Sequence, residues 1–329
     1  MVRLLSQIGF LVLTVVVLAS CKPKDPQKAG TAAGMEAPSF SADSAFAYVA
    51  KQVSFGPRVP GTKAHQDCLE WMTATLTRFG ATVSVQQGPV KLYDGTTMTV
   101  KNVIARIQPE KANRLLLMAH WDSRPFADHD PDPARRDLPI DGANDGASGV
   151  GVLLEIARQL QAKPSALGID IVLFDLEDYG VPAHKDIEWT ADSWCLGSQY
   201  WARNPHIPGY FARFGILLDM VGGKDARFTQ EEVSRYYAKP VVDKVWNTAS
   251  ALGYGHLFIF EQTPQLIDDH RYVNEIIGIP SIDIIHQDPG TESSFPAIWH
   301  THEDNLEHIR RETLGAVGKT VLAVVYAEK

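Results

Sequence analysis

The sequence predicts an α/β fold: a single domain with a central mixed, mostly parallel sheet flanked by helices. Three observations predict it. Apolar and branched runs without a breaker, of which 169–174 is the clearest, read as strands buried in a sheet. These runs alternate with stretches whose apolar residues recur at helical spacing. Several of the runs stop at Asp or His, and in open α/β sheets ligands sit beyond the carboxyl ends of the strands.

Taken in order, Arg3 and an apolar run from Ile8 to Leu18 form a processing segment too short to span a bilayer. It ends Leu18-Ala19-Ser20-Cys21, which resembles a bacterial lipobox. The expectation is a lipoprotein signal peptide over 1–20 and a lipidated Cys21. A flexible tether of Lys, Pro, Ala and Gly over 21–37 follows, then a catalytic domain over 38–329. This places the protein in the cell envelope, lipid-anchored to the membrane and facing the periplasm or the surface. The 329 residues carry a net charge of −8 and no basic patch, which argues against nucleic acid as a partner.

Asp43 to Phe55 reads as a helix, and Pro57 to Gly61 breaks it. His65 to Phe79 has Leu69, Met72, Leu76 and Phe79 on one face, with Gly80 as C-cap. Strands follow at 81–85, 99–107 and 115–119, the last running into His120. A Pro- and Asp-rich loop covers 125–139, long enough to suggest a functional role. Asp141 to Gly149 opens a helix whose buried face is Val150, Leu153, Leu154, Ala157 and Leu160. After the strand 169–174 come Asp175, Glu177 and Asp178, then an irregular loop to Ser193. Leu196 to Trp201 starts a helix, 214–218 is a strand ending in Asp219, and 233–251 is helical. A strand at 257–260, a short helix at 268–277, a strand at 282–285 and a helix at 314–326 close the chain. Cys68 and Cys195 are not spaced as a thiolate metal site, and their pairing is left open.

Five positions recur at strand ends or just after: His120, Asp145, Asp178, Asp219 and His300. Singly, a strand-end Asp reads as a helix cap and a lone His as structural. Together they form an oxygen- and nitrogen-rich donor set suited to zinc.

The segments His120-Trp-Asp122, 141–145, Glu177-Asp178, Leu218-Asp219-Met220 and His300 resemble, in that order, the M28 family of zinc peptidases. In the two-zinc aminopeptidases of that family, the resemblance implies that Asp145 bridges the metals. His120 and Asp219 then complete one site, and Asp178 and His300 the other. Further segments resemble the glutaminyl cyclase branch of the same fold, which binds one zinc: 295–301 with Trp299 before His300, Asp268-Asp269-His270, and 188–198.

That branch implies a glutaminyl-peptide cyclotransferase acting on N-terminal Gln peptides or proteins, with one Zn²⁺ held by Asp145, Asp178 and His300. It implies Glu177 as proton shuttle and Asp269 as holder of the leaving nitrogen, with Asp219 beside it sharing a proton. Trp189, Phe295 and Trp299 would line the pocket for the glutamine side chain, with Trp194 competing for the place of Trp189. The position after Glu177 is usually Glu in both branches, and here it is the shorter Asp178. The runner-up is a two-metal aminopeptidase, and a third reading is a catalytically silent binding protein. His270, His286 and His302 have no role that the residues define. His65, His129, His184, His206, His256 and His308 read as surface or loop residues.

Overall fold

A computed structural model describes residues 36–329. Cys21 and the signal-peptide and tether expectations lie outside the described residues. In chain order the helices are α1 (Ala42–Val53), α2 (Lys63–Arg78), α3 (Ala147–Ala162), α4 (Leu196–Arg203), α5 (Glu232–Ala251), α6 (Asp269–Tyr272) and α7 (Arg311–Ala327). The strands are β1 (Thr82–Lys91), β2 (Thr97–Ile107), β3 (Arg114–His120), β4 (Gly168–Phe174), β5 (Gly215–Asp219), β6 (Phe228–Glu231), β7 (Phe258–Thr263) and β8 (Ser281–Ile285).

Six strands form one sheet in the order β1-β2-β4-β3-β5-β8. β1 and β2 pair antiparallel, as do β2 and β4. From β4 onward the pairings β4·β3, β3·β5 and β5·β8 are parallel. This is the mixed, mostly parallel sheet that the breaker-free runs predict. Each residue of β3, β4, β5 and β8 is buried, because helices cover both faces. The two-residue period sorts the side chains: Leu115 and Leu117 join the core under α1, α3 and α7, while Leu116 and Met118 join the core under α4.

Helix α3 is buried on nearly every side, as a helix wedged between a sheet and other helices must be. Gly149 is what lets it approach: a Cβ there would stand 2.2 Å from the Leu218 carbonyl oxygen of β5. α2 starts at a Thr62 cap and is followed by Gly80 at φ +79, the expected C-terminal stop. α5 kinks at Ala238, ahead of Pro240, whose ring opposes the carbonyl one turn earlier. Among the described residues, no helix is long and apolar enough to cross a membrane.

Four expectations need correction or completion. The segment 268–277 is one α-helical turn followed by a wider π-type turn, ended by Gly278 at φ +74. β6 escapes the sequence pattern, because Phe-Thr-Gln-Glu carries three polar residues that are nonetheless buried. His65 is not a surface residue: it is 1% exposed, stacked on Trp121 at 4.1 Å, with Nε2 2.8 Å from Asp175 Oδ1. Cys68 and Cys195 are both buried free thiols, so no disulfide joins them.

Candidate active site

The parallel strands β3, β4, β5 and β8 end at one edge of the sheet, and the site is assembled there. His120 is the last residue of β3 and Asp219 the last of β5. Asp145 precedes α3 in the turn after the long loop. Glu177 and Asp178 follow β4 by a left-handed turn at Leu176, φ +56. His300 arrives from the far loop, itself left-handed at φ +53.

These side chains meet. His120 Nε2 lies 2.9 Å from Asp145 Oδ1 and 3.2 Å from Asp219 Oδ1. His300 Nε2 lies 3.0 Å from Asp178 Oδ1 and 3.6 Å from Asp145 Oδ2. Backbone geometry is fixed from behind: Asp122 accepts from the amides of Glu177 and Asp178, and Asp304 accepts from those of Asn144 and Asp145. The shorter Asp178 still reaches His300, since the strand end brings its backbone close.

Asp145, Asp178 and His300 each present one donor atom, and the three atoms lie within 4.8 Å of one another. Asp178 Oδ2 is buried without a hydrogen-bond partner. Burial alone would lower the His300 pKa, yet Asp178 and Asp128 push it up to about 9. Burial would likewise lower His120, but Asp122, Asp145 and Asp219 hold it well above the usual histidine range. A cluster that draws positive charge this strongly, through two carboxylates and one imidazole with no thiolate, fits Zn²⁺ with a coordination position left open. A second donor group, His120, Asp145 and Asp219, shares Asp145 with the first.

A cavity of about 310 Å³ opens over these donors. Glu177, Asp219 and Asp268 line it, together with Trp189, Trp194, Phe295 and Trp299. Both tryptophans left as alternatives therefore belong to the wall: Trp189 is 56% exposed at the rim, and the Trp194 ring lies nearly parallel to His300 at 6.0 Å. Trp299 stacks on His300 at 3.7 Å and meets Phe295 at 4.7 Å.

The structure differs from the sequence reading at Asp269. Its side chain is fully buried and does not line the cavity, whereas Asp268 does. Asp268 is the extended cap residue of α6, at φ −155, and its side chain accepts from the Asp269 amide. Asp269 is already in the helical turn and points inward. Asp175, first of the acidic trio, also turns away and pairs with His65.

Burial raises the Glu177 pKa well above the usual carboxylate range, against the pull of His120, and Asp178, Asp268 and Asp269 add to the rise. Asp219 is pushed up to about 7, first by burial, with Asp145 and Asp268 contributing. Arg124 and Asp128 lay outside the sequence reading, and Cys195 entered it only for its possible pairing with Cys68. Arg124 clamps Asp128 through Nη2 at 2.6 Å, and Asp128 Oδ1 lies 3.1 Å from His300 Nδ1. Cys195 Sγ donates to Glu177 Oε1 at 3.1 Å. The loop holding Arg124 and Asp128 has no periodicity that could have marked them.

Comparison with known proteins places this geometry. The chain is 55% identical to a solved glutaminyl cyclase from Tannerella forsythia, with a TM-score of 0.87, over 89% of this chain and 100% of that one. It is 54% identical to a Zn-dependent exopeptidase from Parabacteroides distasonis, TM-score 0.87, covering 88% and 99% of the two chains. Aminopeptidase YwaD of Bacillus subtilis is 30% identical over 254 residues, 73% of this chain and 47% of that protein. The chain thus spans about half to two thirds of the length of the curated relatives it matches. The family model for peptidase family M28 matches residues 102–325 and so takes in the sheet from β2 onward and each donor at its edge. The chain belongs to peptidase family M28.

Proposed function

We propose that this enzyme is a glutaminyl-peptide cyclotransferase, which converts the N-terminal glutamine of a peptide or protein to pyroglutamate with release of ammonia. One observation carries the reading. A three-donor group suited to zinc, Glu177 and Asp268 share one small cavity walled by Trp189, Trp194, Phe295 and Trp299. The 55% identity to a solved glutaminyl cyclase supports it.

In the reaction the free α-amine attacks the side-chain γ-carbonyl of the same glutamine. A C–N bond forms, the bond to the amide nitrogen breaks, and ammonia leaves. Asp145, Asp178 and His300 would hold the zinc, which when bound would supply a Lewis acid for that carbonyl. Glu177 takes a proton from the attacking amine and delivers it to the departing nitrogen. Burial raises its pKa above the usual carboxylate range, the direction that favours a group which must both accept and release a proton. Asp268, on the cavity wall beside Glu177, takes the part that sequence reasoning gave Asp269: it receives the N–H groups of the leaving nitrogen. Asp219 holds His120 in place and stands beside Asp268. The aromatic wall fits a short amide side chain, and the attacking amine belongs to the same residue, so proximity favours it over water.

Incubation with a Gln-initiated peptide tests the reading. Release of ammonia with a product lighter by about one ammonia mass supports it. Loss of a whole residue would instead make the protein a two-metal aminopeptidase, a reading that the second donor group His120, Asp145 and Asp219 keeps in view.

Lipidation of Cys21 and anchoring of the domain in the cell envelope belong to the same proposal. The lipobox-like Leu18-Ala-Ser-Cys21 supports them.

A further inference from the structure

Beyond the carboxylates and the zinc donors, we infer that Cys195 is a positioning residue for Glu177: its thiol holds one carboxylate oxygen so that the other is presented to the cavity. The inference rests on the proposed role of Glu177.

The geometry is built from both sides. Glu177 leaves β4 through Leu176 at φ +56, and Cys195 enters α4 at φ +55. Two non-glycine residues in the left-handed region face each other, a backbone state that surrounding structure has to enforce. Two hydrogen bonds enforce it: the Cys195 amide donates to the Glu177 carbonyl at 2.9 Å, and the Leu196 amide to the Leu176 carbonyl at 3.0 Å. Gly197 allows the approach, since a Cβ there would lie 2.1 Å from the Asp175 carbonyl oxygen. Asn102 ties the two segments, donating to the Gly197 carbonyl and accepting from the Asp175 amide.

The outcome is one specific contact. Cys195 is fully buried and its Sγ lies 3.1 Å from Glu177 Oε1. Among the described residues, no other hydrogen bond reaches the Glu177 side chain. Glu177 lines the cavity and Cys195 does not, so the thiol grips the carboxylate from behind. A carboxylate with one oxygen anchored loses less rotational freedom when the amine arrives, and a proton shuttle depends on that orientation.

Two Cys195 variants and one spectrum, read also in Glu177→Gln, test this. Cys195→Ala removes the donor with little change of volume. It should lower kcat for Gln-peptide cyclisation roughly 3- to 10-fold, the worth of one modest hydrogen bond. KM should stay within about twofold and zinc content unchanged. Cys195→Ser keeps a donor and should retain more of kcat than the Ala variant. In the infrared spectrum, the S–H stretching band that disappears in Cys195→Ala should move to higher frequency in Glu177→Gln, where the acceptor is neutral. The band of the buried Cys68 serves as reference. An Ala variant with wild-type kcat, equal losses in Ala and Ser, or an S–H band indifferent to Glu177→Gln would each overturn the inference. If Cys195→Ala fails to fold, comparison of wild type with Glu177→Gln still decides it. Absence of cyclisation in the wild type would sink the functional reading instead, and the S–H band would still report on the contact.

Discussion

Asp128 stands directly behind His300. Its Oδ1 lies 3.1 Å from Nδ1, on the side of the ring away from Asp145 and Asp178, with the ring N–H bent off the line between them. Arg124 holds that carboxylate through Nε and Nη2, while its Nη1 donates to the Asp178 carbonyl at 2.8 Å. One guanidinium thus steadies two of the three residues proposed to hold zinc. It also lies against the Trp194 ring at 4.4 Å, so the same group backs the cavity wall.

Asp128→Ala should therefore weaken zinc binding about 10- to 100-fold, the usual effect of losing a carboxylate behind a ligating histidine. Competition with a chelator measures it without reference to activity. An unchanged zinc affinity would reduce the Asp128–His300 contact to packing.

Glu177→Gln keeps the side-chain shape and removes its basicity. Zinc content should stay intact and kcat should fall roughly 10²- to 10⁴-fold, with KM changing less. Asp178→Asn should lose metal first and activity in consequence. Elemental analysis of both variants, set beside their kinetics, separates the roles; loss of zinc in the Gln variant alone would reverse the assignment.

The purified protein should hold one tightly bound zinc per chain if it is a cyclotransferase, even though two donor groups share Asp145. A content near two, with activity tracking the second ion, would favour the aminopeptidase.

His206 sets a pH dependence of stability away from the site. Burial lowers its pKa to about 4, and the Trp201 indole N–H donates to its Nδ1 at 3.2 Å, which a protonated ring could not accept. The unfolded chain takes up this proton near pH 6.5 and the folded one only near pH 4. The contribution is full above pH 6.5 and lost as the pH falls towards 4. The urea midpoint should decline over that interval, and His206→Gln should flatten the decline. A slope identical to wild type would show that the histidine does not contribute.

Cys21→Ser should move the protein from the membrane fraction to the soluble fraction while the activity of the domain is unchanged. Retention of the Ser variant on membranes would defeat the lipobox reading.

The sequence made the sheet legible because β3, β4, β5 and β8 are buried on both faces and so have no polar interruptions. It also marked His120, Asp145, Asp178 and Asp219, since a charged residue at the end of such a run has no place in the core and must serve the edge. Where neighbours rather than pattern decide, the reading failed. Asp268 and Asp269 are alike in sequence, and only the start of α6 between them sends one to the cavity and the other inward. His65 looks solvated within its polar helix, until Trp121 and Asp175 pack over it. Arg124, Asp128 and Cys195 act through contacts between segments far apart in the chain, which no local spacing encodes.

Asp145 and His300, two of the three residues proposed to hold zinc, lie at opposite ends of nearly half the chain. A zinc held by these residues would tie the turn before α3 to the loop before α7, so its removal should speed unfolding more than it slows refolding.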